Sequence, residues 1–164
     1  MLLGDIGVGK TSIVRRLVLD TFDADYKVTI GVNLYAHAIR VEIGGKPQDV
    51  ELVIWDIDGD YGQTIFKQMY IRGASSALII GDATRLGTQH SMVRLAKGFQ
   101  GELPGRPFSL ALNKADLVQD AGALDVLPAL MGGESPLTRT SAKTGFNVAK
   151  AFHALAVTAI RRGI

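Results

Sequence analysis

The run Gly4-Asp5-Ile6-Gly7-Val8-Gly9-Lys10-Thr11 matches the pattern G-x-x-x-x-G-K-[ST] at each fixed position. Glycines in such a run let the backbone wrap close to a polyphosphate, so that N–H groups point inward at anionic oxygens. Lys10 can reach the outer phosphates, and the Thr11 hydroxyl can bind Mg²⁺. The amphipathic stretch over residues 12–19 follows at once. It puts the loop, with Ser12, at a helix N-terminus, where the dipole also favours anions. Alone, the run also suits a Gly-rich turn; its partners downstream give it meaning.

Two further runs end apolar segments. Asp56 closes one and opens Asp56-Ile57-Asp58-Gly59. A carboxylate there can hold the shell of a Mg²⁺ ion, and the Gly59 N–H can meet a terminal phosphate; the same acid also suits a solvent-facing strand end. Asn113-Lys114-Ala115-Asp116 closes another segment. A carboxylate can accept two hydrogen bonds from the N1–H and exocyclic amine of guanine, a pair that adenine cannot supply. Asp116 fits that role, with the Lys114 stem covering one face of the base. Near the last helix, Thr140-Ser141-Ala142-Lys143 offers an Ala142 N–H to the guanine oxygen and a Lys143 stem to the ring, although by itself it reads as a helix entry.

The elements that must position these residues alternate between strand and helix. Short apolar runs at 50–55, 77–81 and 108–112 have polar residues at their carboxyl ends, as buried strands of a parallel sheet do. Residues 34–43 alternate, and the turn Gly44-Gly45-Lys46-Pro47 joins them to 48–55 as an antiparallel hairpin. Helical spacing predicts helices at 10–19, 64–72, 88–99 and 146–162, with a short one near 122–130. The pattern predicts one α/β doubly wound domain over 1–164, its site at the carboxyl ends of the strands. Only Met1-Leu2-Leu3 precede the Gly-rich run, against the usual length of about five residues. The first strand is therefore expected to be short, as in a trimmed domain or a chain begun at a late methionine.

Bulk properties narrow the class. The 164 residues are 47% apolar, enough for a real core, and carry 18 Lys plus Arg against 16 Asp plus Glu. That near balance argues against a nucleic-acid-binding surface or a polybasic membrane patch. No cysteine occurs, which excludes disulfides, thiolate metal sites, thiol catalysis and cysteine lipidation in these residues. Neither a signal-peptide layout nor an apolar run of about 18 residues appears. The expectation is a cytoplasmic domain without a direct membrane anchor.

Together these runs resemble the Ras superfamily of small GTP-binding proteins over nearly the whole chain. Within it the Rab branch is the nearest match, through Thr29-Ile30-Gly31-Val32, Trp55-Asp56 and Tyr70-Ile71-Arg72-Gly73-Ala74 as well as the Gly-rich run. The resemblance implies a P-loop GTPase (G domain) fold: a six-stranded, mostly parallel sheet with about five helices on its two faces. It also implies a GTP/GDP switch with Mg²⁺ held by Thr11, Thr29 and Asp56. Phe22, seven residues before Thr29, has the family spacing for an aromatic packed edge-on to guanine. Leu34, Trp55 and Tyr70 match the surface triad that meets protein effectors or regulators, although Trp55 can equally pack beneath the second switch.

Three departures surround the γ-phosphate. Ile6 stands where the family has glycine or serine, and its branched side chain crowds the space an arginine finger enters. Asp56-Ile57-Asp58-Gly59-Asp60 replaces Asp-Thr-Ala-Gly-Gln, so Asp60 takes the place of the water-orienting glutamine. The second switch is one residue short, which leaves Gln63 as a candidate substitute amide. An arginine finger contributes roughly 10³–10⁵ in rate, and a carboxylate facing an anionic γ-phosphate repels it. Lys10, Thr29, Gly59, Asp60 and Gln63 are thus the candidate catalytic residues. The expectation is intact binding with slow or unconventional hydrolysis. The alternatives are a nucleotide-binding scaffold or regulatory module without useful turnover, or an ATP-using P-loop enzyme, which Asn113 to Asp116 disfavours.

Overall fold

The computed structural model describes residues 1–25, 29, 31–57, 69–118, 125–131 and 135–164. Six strands, β1 (Leu2–Leu3), β2 (Val32–Ile43), β3 (Lys46–Ile57), β4 (Ala77–Asp82), β5 (Phe108–Asn113) and β6 (Leu137–Arg139), form one sheet in the order β2-β3-β1-β4-β5-β6. All pairings are parallel except β2 with β3. Three α-helices are described: α1 (Lys10–Leu19), α2 (Leu86–Glu102) and α3 (Val148–Arg161).

Every residue of β4 is buried because helices cover both of its faces. Leu78 and Ile80 point to one side and pack with Ile13, Val14, Phe152 and Leu155 of α1 and α3. Ala77 and Ile79 point to the other and pack with Met92, Leu95 and Phe99 of α2. At the far end of the sheet the β2–β3 hairpin lays Ile39 and Val41 against Ala156 of α3. Its turn needs the left-handed conformation at two successive residues, which Gly44 (φ 58°) and Gly45 (φ 77°) supply without a Cβ clash.

The expected elements sit close to the observed ones. The helix at 10–19 is α1, while α2 and the two hairpin strands extend beyond the predicted ends. The expectation of a helix over 64–72 falls mostly on residues outside those described; Met69–Gly73 forms a 3₁₀ turn. The short helix near 122–130 is corrected to a single 3₁₀ turn, Pro128–Leu130, for the part described. A proline there lacks the N–H a longer helix would use, and it starts the turn. The first strand is short, with two paired residues.

Candidate functional site

The carboxyl ends of the parallel strands and the N-terminus of α1 enclose a cleft of about 530 Å³. Of the residues predicted to bind, Ile6, Gly7, Gly9, Lys10, Thr11, Ser12, Phe22, Thr29, Asn113, Lys114, Asp116, Ala142 and Lys143 line it. Gly4, Asp5, Val8 and Ser141 do not; they build its walls from behind. A side chain at Gly4 would collide with the Ile80 carbonyl of β4, so this glycine serves strand packing rather than phosphate approach. Val8 is fully buried in the core. Gly59, Asp60 and Gln63 lie outside the described residues.

At the phosphate end, the Lys10 ammonium is buried and donates to the carbonyls of Gly4 (2.9 Å) and Asp5 (3.1 Å). Gly9 (φ 96°) turns the chain into α1, and a side chain there would overlap the Asn113 amide. Thr11 Oγ1 donates to Asp56 Oδ2 at 2.6 Å and stands 2.7 Å from Thr29 Oγ1. With its one hydrogen given to the carboxylate, Thr11 accepts from Thr29.

Asp56 is 0% exposed, and its Oδ1 has no hydrogen-bond partner among the described residues. Burial pushes this carboxyl above its ordinary pKa; the Thr11 hydroxyl, Lys10 and Arg15 pull it back only in part. An unpaired buried carboxylate oxygen beside two hydroxyls is a hard-oxygen donor set that fits Mg²⁺. Among the described residues no cluster of three or more His, Cys, Asp or Glu side chains could hold a metal ion.

At the base end, buried Asn113 staples three segments. Its Nδ2 donates to the Val8 carbonyl (2.9 Å), and its Oδ1 accepts from the Ala142 N–H (3.0 Å). The Ala142 N–H, expected to face the guanine oxygen, is thus directed at Asn113, because an amide has a single hydrogen and the asparagine oxygen lies in line with it. Asp116 is exposed at the cleft, and its Oδ1 accepts from the Ser141 hydroxyl at 2.6 Å. Ser141 therefore orients Asp116. Lys114 adopts a left-handed conformation (φ 64°) and donates to Asp82 Oδ2 at 2.6 Å.

The structure adds three residues that sequence reasoning missed. Arg16 of α1 donates to the carbonyls of Ala142 and Lys143, both at 2.8 Å, and so fixes the base-side loop. Asp82, read only as a strand end, is 1% exposed and also accepts from Arg85 Nε (2.9 Å), from the Thr84 hydroxyl (2.6 Å) and from the Thr84 N–H (2.9 Å). Burial raises its carboxyl pKa, but the Lys114 ammonium and the Thr84 donors outweigh that and hold it below the ordinary range. Arg85 also donates to the Ile6 carbonyl (3.2 Å). No local sequence signal marks Arg16 or Arg85, since each acts across more than 70 intervening residues.

On the outer hairpin, Leu34 is 62% exposed and pairs across the strands with Trp55, which is half-buried against the α2-side core. Tyr70 lies in the Met69–Gly73 turn.

Comparison with known proteins agrees with this geometry. The family described as "Ras of Complex, Roc, domain of DAPkinase" matches residues 1–116. The GTP-binding protein ypt5 of Schizosaccharomyces pombe is 34% identical over 160 residues, covering 95% of this chain and 74% of that protein. The Ras-related protein RABF2a of Arabidopsis thaliana is 34% identical over 95% of this chain and 78% of its own length. The Ras-related protein Rab-7L1 of Homo sapiens is 32% identical over 94% of this chain and 78% of its own. With its phosphate loop, its guanine-type base pocket and these relatives, the chain belongs to the Roc/Ras superfamily of GTPase domains, among Rab-like members.

Proposed function

We propose that this domain is a guanine-nucleotide switch that binds GTP and GDP with Mg²⁺ and hydrolyses GTP slowly. The family supplies the general activity of nucleotide switching and GTP hydrolysis. The single observation that carries the reading for this chain is the convergence on Thr11: its hydroxyl joins Thr29 and Asp56 within 2.7 Å. That contact links α1 to β3 and to the segment bearing Thr29.

Each residue then has a chemical task. Thr11, Thr29 and Asp56 hold Mg²⁺, which when bound neutralises charge on the phosphoryl oxygens. Lys10 leaves the carbonyls of Gly4 and Asp5 for the outer phosphates. Asp116, set by Ser141, accepts from the N1–H and amine of guanine, while Lys114, Lys143 and Phe22 flank the ring. Hydrolysis needs a water held in line with the bond to the leaving GDP. Asp60, acceptor-only when ionised, replaces the amide that orients that water, and Ile6, 37% exposed at the outer turn of the loop, crowds the approach of an external arginine. Effectors or regulators meet the face carrying Leu34 and Trp55, and Tyr70 completes the triad that the family uses for them.

Single-turnover GTP hydrolysis tests the slow step. Asp60→Gln and Ile6→Gly are expected to speed it, and Gln63→Ala to slow it further. A native rate that falls on Asp60→Gln contradicts the assignment of Asp60. The same crowding by Ile6 favours a second reading, a nucleotide-binding scaffold or regulatory module, which is established if bound GTP stays intact over the lifetime of the complex.

A further inference from the structure

Asp82 is a buried carboxylate at the end of β4 that takes hydrogen bonds from both ends of the cleft. Lys114, on the base side, donates to its Oδ2 at 2.6 Å; Arg85 donates to the same oxygen at 2.9 Å and, through Nη2, to the Ile6 carbonyl of the phosphate loop at 3.2 Å. The second contact matters because of what lies across the peptide bond. In a trans peptide the C=O of one residue and the N–H of the next point in opposite directions, and the chain has no cis bonds among its described residues. Drawing the Ile6 oxygen toward Arg85 therefore turns the Gly7 N–H away from Arg85. Gly7 lines the cleft and adopts φ 73°. Glycine at that position tolerates either orientation of the plane, so something outside the loop has to select one.

We infer that Arg85 is a positioning residue for guanine-nucleotide binding: it pins the Ile6–Gly7 peptide plane and, through Asp82, ties that plane to Lys114, so the phosphate and base ends of the cleft are set as one unit. The inference rests on the nucleotide-binding reading given above. Arginine suits the role because its planar fork bonds two acceptors at fixed spacing, which a lysine ammonium cannot reproduce. The anchor is firm because the Asp82 carboxylate is buried and held ionised by several donors.

The test is the release rate of a fluorescent methylanthraniloyl-GDP from the native chain and from R85A, R85K, K114A and R85A/K114A, all with saturating Mg²⁺. Arg85 is half-exposed, so the variants are expected to fold. R85A and R85K should each speed release about tenfold, the scale of one charge-assisted hydrogen bond. The double variant should release no more than about twice as fast as the faster single one, as expected of residues acting through one shared partner. Release from R85A within twofold of native, an R85K variant that behaves as native, or single effects that multiply in the double variant would overturn the inference. A native chain that fails to bind the probe at all would overturn the nucleotide-binding reading along with it, and is distinguished by the missing signal before any variant is compared.

Discussion

Asp56 and Asp82 invite comparison. Each lies at the carboxyl end of a strand, one on either side of β1, and each is withdrawn from solvent. Asp56 receives the Thr11 hydroxyl on one oxygen, its other oxygen has no partner among the described residues, and its carboxyl is pushed above its ordinary pKa by burial. Asp82 receives an ammonium, a guanidinium, a hydroxyl and an N–H, and burial is outweighed so that its pKa falls. Two carboxylates withdrawn from solvent thus have opposite electrostatics, Asp56 being the more deeply buried and Asp82 the better partnered. A buried acid short of partners is open to a divalent cation, as proposed for Asp56, whereas one saturated by partners is a hub that organises the chain around it.

The sharpest way to break the comparison is to neutralise each acid in turn. Asp56→Asn is expected to weaken GDP binding in Mg²⁺ by roughly 100-fold and to abolish the advantage that Mg²⁺ confers, measured by calorimetry with and without a chelator. Asp82→Asn should leave that advantage in place. It should instead cost about 1–3 kcal/mol of folding stability in urea denaturation, because Lys114 and Arg85 lose a charged acceptor while remaining partly hydrated. If Asp82→Asn removed the Mg²⁺ effect and Asp56→Asn did not, the two roles would be exchanged.

The pH dependence of stability should separate them further, in the metal-free chain. The folded-state pKa of Asp56 is raised. Its contribution is therefore greatest below the unfolded value of about 3.9 and is lost as pH rises through the folded value. The folded-state pKa of Asp82 is lowered. Its contribution is present above about pH 3.9 and is lost as pH falls through the folded value. Denaturation of the native chain, Asp56→Asn and Asp82→Asn across that range should show Asp56→Asn gaining on the native chain as pH rises. Asp82→Asn should lose ground over the same rise.

The smallest expected effect comes from Ser109 of β5, whose buried hydroxyl also has no partner among the described residues. Ser109→Ala should raise stability by up to about 1 kcal/mol, by removing an unpaired polar group without touching nucleotide binding. A loss of stability would show that this hydroxyl is satisfied in solution.

Much of this was legible from sequence because the informative signals are local. The glycine spacing before Lys10, the apolar run into Asp56 and the Asn113-Lys114-Ala115-Asp116 stretch each sit within one strand-to-loop transition. The alternating hydrophobicity of 34–43 likewise revealed the hairpin. What escaped was long-range. Arg16 reads as an ordinary helix arginine until α1 is packed beside the 141–143 loop. Asp82 reads as a strand end until Lys114 and Arg85 arrive at it. β6 escaped because Leu137-Thr138-Arg139 is three residues long and half-buried, too short for a period to emerge. The bond from the Ala142 N–H to Asn113 is long-range too, since sequence gives no hint that the two lie within reach of each other.

The most direct test of the account is a calorimetric titration of the purified chain with GDP and, separately, ADP, each in the presence and absence of Mg²⁺. The account predicts saturable heat for GDP, weakened by chelating the metal, and little or none for ADP. Equal binding of the two nucleotides, or no heat with GDP and Mg²⁺, would contradict it.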